Sequence, residues 1–288
     1  MGISSSLRRV VAVAWLTFRE AWRRRVVLAA ALMALGFLAI YGAGLHFVGQ
    51  QAFGGVSVLS AEVMRREVGA QLLYLGLSTA SFLIALTAVF VSAGTVSADV
   101  DSAVVYGVLA RPIRRSELVA GKYVGLAVML SVFGASLNGA VIGLTRWQMS
   151  VPLVSWPAGM ALLVLEPLPL LALSVLGSSR LPTLANGVLC TAAYGIGLIG
   201  GLMEQIGGVL RSTTLTNLGI VTSLLMPLDA VHRKALAALL PQGLLFQQGG
   251  VPGMSGAHLP STAMMVYAGG YAIVLVVLGA RAFTRRDL

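Results

Sequence analysis

Charge is what this chain has least of. Only 10% of its 288 residues are Asp, Glu, Lys or Arg, while 57% are hydrophobic. A soluble domain carries about 25% charge, so a surface of this composition could not be wetted all round. Cysteine is scarcer still. The single copy, Cys190, sits in an apolar run and excludes a disulfide framework. The histidines, His46, His232 and His258, are far apart, and no His/Cys spacing suggests a metal site. Catalytic signatures are missing too. No HExxH or GxSxG occurs, and no acid pair has a spacing that argues for hydrolysis. Gly121-Lys122 superficially resembles the end of a Walker motif, but Ser116 stands where its first glycine should be. The chain therefore reads as a non-enzyme, with no metal or nucleotide site of its own.

What is present is long apolar sequence. The 34 glycines are dispersed through it, as membrane helices allow for close packing. The expectation is an all-α integral membrane protein forming a single domain over residues 1–288. Six segments reach the roughly 20 residues that a bilayer requires: 26–48, 71–96, 122–145, 156–178, 183–203 and 262–283. Residues 4–25 come before them as an amphipathic helix, too polar for a signal-peptide layout. Its apolar face carries Leu7, Val10, Val11, Ala14, Trp15, Phe18 and Trp22, and its other face Arg8, Arg9, Arg19, Glu20 and Arg23. Such a helix lies in the membrane interface, with Trp15, Phe18 and Trp22 at headgroup level and Arg8 and Arg9 toward anionic lipid.

The net charge of +10 collects at the ends of the apolar segments. It reads as topology, not as a nucleic-acid surface, because inner loops of membrane proteins accumulate Lys and Arg. Six spans with both termini inside put fourteen basic residues on the inner side and six on the outer. Residues 204–260 are too short and too proline-broken for comfortable crossings, and are expected as re-entrant or interfacial helices on the outer side.

Several polar residues stand out against this background. Asn138 and Glu166 lie inside spans, where a polar group is costly and is a functional candidate by default. Glu166 either binds a proton, a cation or a polar substrate, or is a protonated acid filling the gap left by Pro167 and Pro169; both readings stay open. Gly139/Gly143 and Gly197/Gly201 form GxxxG pairs suited to helix packing or to lining a translocation path. Pro227 and Asp229, with His232 and Arg233, form a polar stretch before the last span. Finally, Ser97–Lys122 is a dense charged island between two spans, carrying Asp99, Asp101, Arg111, Pro112, Arg114, Arg115, Glu117 and Lys122.

That island supplies a resemblance. Asp99-x-Asp101, followed by Val105-Tyr106-Gly107-Val108-Leu109-Ala110-Arg111-Pro112-Ile113-Arg114-Arg115 and then Gly121-Lys122-Tyr123, resembles the inner loop of ABC-2-type permeases. These are the membrane subunits of type-2 ATP-binding-cassette exporters. Ala103-Val104 departs from the Gly-Thr usual in that family. The leading amphipathic helix and six spans match the family's layout. The resemblance implies an exporter's permease subunit working as a homodimer or heterodimer, with ATP and Mg held by separate ATPase subunits. It also implies that the 97–122 loop is the ATPase-coupling element, and that the protein sits in a plasma membrane, multi-pass, both termini cytoplasmic, in a prokaryotic cell. The Pro227–Asp229 stretch resembles a polar turn that such permeases carry on the outer side, which is part of an outer gate or a plain interfacial cap. Two readings from other classes remain: a proton-driven secondary transporter using Glu166, and a membrane scaffold. An inverted repeat would favour the former, and none is evident.

Overall fold

The computed structural model describes residues 3–51, 58–95, 115–241 and 260–284. Among these there are ten helices and no strand. They are α1 (Ile3–Arg23), α2 (Arg25–Gln51), α3 (Val58–Ser92), α4 (Arg115–Met149), α5 (Trp156–Leu165), α6 (Leu168–Ser178), α7 (Thr183–Val209), α8 (Thr213–Leu225), α9 (Leu228–Leu239) and α10 (Thr262–Thr284). Six are long and apolar enough to cross a membrane when α5 and α6 are taken as one span: α2, α3, α4, α5–α6, α7 and α10. The fold is an all-α membrane bundle. The chain crosses it back and forth, so the ends of α1, α3, α6 and α10 share one face, called here the α1 end.

Position in the bundle follows from which helices can share a core. The most hydrophobic windows of α3, α4 and α5–α6 are each 56% buried, against 11% for α2, so the first three form the centre and α2 lies outside them. Leu73, Leu77, Ala80 and Ile84 of α3 meet Leu137, Val141 and Ile142 of α4 and Leu163 of α5 in the main core. An apolar helix with so little burial offers its remaining surface to lipid.

Several elements extend beyond the expected segments. α3 starts at Val58 instead of 71, because Glu62 and Arg66 pair one turn apart at 3.9 Å and Arg65 donates to the Gln148 carbonyl. Helix continues through a polar stretch when such i,i+4 partners are available. α4 likewise begins two turns before Lys122. The fourth span, Trp156–Ser178, is interrupted at the proline pair in its middle. Pro167 and Pro169 have no N–H for the carbonyls of Leu163 and Leu165, so the helical ladder fails there and α5 ends at Leu165.

α1 docks by its small residues. Its buried residues are Ala14, Thr17 and Ala21, whereas Trp15 and Trp22 are exposed. The reason is close approach. A Cβ on Gly125 of α4 would lie 2.4 Å from the Ala14 carbonyl oxygen, and one on Gly121 would lie 2.7 Å from Val13. Small residues allow that contact, and the large aromatics are left outward. Phe18 stacks between Trp15 and Trp22 at 5.9 Å from each, and Arg19 covers Trp15 at 5.1 Å. The outward aromatic ridge suits the headgroup layer.

At the opposite end, α8 and α9 bend by 102° at Met226–Pro227. They form a broken span or a re-entrant pair between α7 and α10.

Candidate functional site

The break at Pro167 leaves Glu166 at the end of α5, inside the bundle. α9 brings the complementary groups. Asp229, His232 and Arg233 stand at i, i+3 and i+4 and so share one helix face, and Pro227 starts the helix with Asp229 in its first turn. α7 approaches through glycine. A Cβ on Gly201 would fall 1.9 Å from Asp229 Oδ2, and one on Gly197 would fall 3.1 Å from the Met226 carbonyl. The Gly197/Gly201 face of α7 is thus filled by α8 and α9 of the same chain.

Two linked groups result. Ser81 Oγ donates to Glu166 Oε2 at 2.9 Å and lies 3.1 Å from His232 Nδ1, which is itself 3.1 Å from the same Glu166 oxygen. Ser78 Oγ reaches His232 Nε2 at 3.2 Å. One residue further along α9, Arg233 Nε donates to Asp229 Oδ2 at 2.8 Å, and Nη2 donates to Glu204 Oε2 at 2.5 Å. The charged ends are taken out of solvent: side-chain exposure is 7% for Glu166, 9% for His232 and Arg233, and 13% for Asp229. Arg233 Nη1 is buried with no acceptor. Removing ions from water costs several kcal/mol each unless paired and hydrogen-bonded. The cluster pins α9 to α3, to the α5–α6 break and to α7.

Asn138 stands apart. Its side chain is fully buried, and neither amide atom has a hydrogen-bond partner. Gly139 lies 3.7 Å from Met160 in the same Cβ test, and Gly143 faces open space.

Of the charged island, Asp99, Asp101, Arg111, Pro112 and Arg114 lie outside the described residues. Arg115 opens α4. Glu117, 6% exposed, accepts from Ser6 Oγ at 2.6 Å and pairs with Arg9 at 3.0 Å. Lys122 Nζ donates to the Thr95 carbonyl just after α3. Both contacts come from the first two turns of α4, where the island ends: one reaches α1 and the other reaches across to the residue just after α3. Arg8 is exposed beside this contact.

Sequence reasoning missed the roles of Ser78, Ser81, Glu204 and Asn186. Asn186 Nδ2 donates to the Ala93 carbonyl at 2.9 Å and to the Ser174 carbonyl at 2.8 Å, joining α7 to α3 and α6 at the α1 end. The signal for Asn186 was a buried-type amide in an apolar span. The serines gave none, since their hydroxyls can always bond to their own helix.

The sequence profile of ABC-2 family transporter proteins matches residues 11–288. The chain belongs to the ABC-2 transporter family. Comparison with curated proteins returns no match. As an ABC-2 transporter the chain is a multi-pass membrane protein and an ABC permease subunit, the transmembrane component and not the catalytic one. Membership in the ABC-2 family implies association with an ABC ATPase subunit.

Proposed function

We propose that this permease subunit works as a dimer in an exporter and is driven through the 97–122 loop by separate ATPase subunits that bind ATP and Mg. Both termini and that loop are cytoplasmic, in the plasma membrane of a prokaryotic cell. The observation that supports the coupling is the tethering of the start of α4, where the loop ends. Lys122 holds it to the end of α3 and Glu117 holds it to α1 through Arg9 and Ser6. A push that arrives there is delivered to two spans and the interfacial helix together, instead of being absorbed by slack.

The dimer contact follows from which faces are already used. The Gly197/Gly201 side of α7 is occupied within the chain, so the outward side, with Val188, Ile199 and Leu202, is left for a second copy. Leu75, Phe82 and Phe90 of α3 are exposed as well, and Phe82 lies 6.1 Å from Tyr194 of α7, so the two helices offer one continuous apolar surface. Movement of α3 and α7 at that surface would alternate access to the path. Pro227 and Asp229, inside the bundle next to α7, would act there as part of the gate's hinge.

Charge reversal at Asp101 or Arg115 tests the coupling. ATPase stimulation by the permease is expected to fall while the two subunits still co-purify. Full stimulation in both variants would remove the loop from the mechanism.

A further inference from the structure

The charges in the α9 cluster do not balance. Three carboxylates, Glu166, Glu204 and Asp229, face one guanidinium and one imidazole. Even with His232 protonated, three negative charges meet two positive ones. A charge left over inside a membrane protein is costly and is ordinarily neutralised. Other groups around α9 do not supply the missing positive charge. α3 presents Tyr74, Ser78 and Ser81, α7 presents Tyr194 besides Glu204, and α10 presents the hydroxyls of Tyr267 and Tyr271, which donate to the Leu224 and Leu225 carbonyls. Lys234, the remaining cation on α9, is partly exposed and forms no ion pair among the described residues.

A second observation points the same way. Arg233 is 8% exposed, yet its Nη1 is a buried donor with no acceptor in the chain. Such a group calls for a water molecule, since buried polar atoms in native proteins are almost always bonded to protein or to ordered water. The acids themselves are kept apart by Arg233 and His232. Among the described residues no three His, Cys, Asp or Glu side chains converge as metal ligands.

We infer that this cluster is a proton-binding site. It holds one proton on the His232 imidazole and a second on one of the three carboxyls, with a water on Arg233 Nη1 as the way in. Occupancy by both protons brings the net charge to zero and fastens α9 to α3, to the α5–α6 break and to α7. Release leaves uncompensated negative charge in the cluster and loosens that hold. The inference rests on this chain's own side chains and stands whether or not the loop couples to an ATPase.

Infrared spectroscopy of the full-length protein in lipid nanodiscs tests it, at neutral pH in a choline buffer without sodium or potassium. The carbonyl stretch of a protonated carboxyl is expected, shifting in D2O. Glu166→Gln, Asp229→Asn and Glu204→Gln each leave two acids opposite His232 and Arg233, so the band should vanish in every one. Glu204, near the end of α7, gives the mildest of the three and covers the case in which Glu166→Gln fails to fold. Raising the pH should remove the wild-type band and speed amide exchange in α9 several-fold. No band in the wild type would overturn the inference, and so would a band unchanged by all three substitutions. A band abolished by added sodium would make the site a cation site instead.

Discussion

The two ends of this bundle handle charge in opposite ways. At the α1 end, Glu117 and Glu20 each meet an arginine that keeps at least a quarter of its side chain exposed. Glu117 meets Arg9 at 3.0 Å, and Glu20 meets Arg24 at 2.6 Å with both side chains at least 35% exposed. At the opposite end a bent helix pair carries Asp229, His232 and Arg233 inward, where they meet Glu166 and Glu204. The same residue types thus have different consequences. An exposed pair competes with water and contributes little, whereas an inner cluster loses its partners only at the cost of an unpaired buried ion. On the proposed reading, the α1 end takes the push of a partner, and the other end changes state with its charge.

The comparison breaks most readily at Arg233. Arg233→Met leaves Asp229 and Glu204 without their cation, and the loss of stability is expected to be about 3–5 kcal/mol. Thermal unfolding in detergent should show it as a much lower Tm, with α9 the first segment to exchange amide hydrogens. A wild-type Tm would mean that the cluster does not hold α9. Next comes Gly125→Leu at the α1 end, where a side chain would drive into the Ala14 carbonyl. Overpacking of this kind costs about 1–3 kcal/mol. Here α1 is expected to detach from α4, exposing its small-residue face to proteolysis, while α9 keeps its protection. Parallel loss of protection in α9 would show that the two ends are not independent. The smallest effect belongs to Glu20→Gln, which removes an exposed i,i+4 pair and should cost less than about 0.5 kcal/mol. A large drop in Tm there would contradict the contrast with the inner cluster.

Legibility along the chain followed the range of the interaction. The class of protein and the six long spans could be read from composition and run length. Glu166 was singled out because an acid among apolar residues is conspicuous by itself. Asp229, His232 and Arg233 were noticed as a polar turn, read as an outer gate or a plain interfacial cap. Their spacing on one helix face was visible, yet nothing local said which way α9 would be turned. Ser78, Ser81 and Glu204 went unnoticed, because a serine in a membrane helix is satisfied by its own backbone and an acid at a helix end looks solvated. On α1, hydrophobicity pointed to the Trp15/Trp22 stripe as the face at headgroup level and said nothing of the face that meets the bundle. Packing selected Ala14, Thr17 and Ala21, because Gly121 and Gly125 reward close approach over apolar area.

The sequence by itself determined that the chain lies in a membrane, how many long helices it makes, and where the fourth is broken. Hydropathy and the missing N–H of proline act on contiguous residues, so no fold is needed to read them. Only the tertiary structure decided the charge cluster. Ser81 and Glu166 are 85 residues apart, Glu166 and His232 are 66 apart, and Ser81 and His232 are 151 apart. Whether such groups meet depends on the bend at Pro227 and on α7 coming close enough, at Gly201, for Asp229 to fit where a side chain would otherwise be. Burial then turns that meeting into a constraint on charge, because in a medium that cannot solvate ions each one must find its complement among the residues that the fold has brought together.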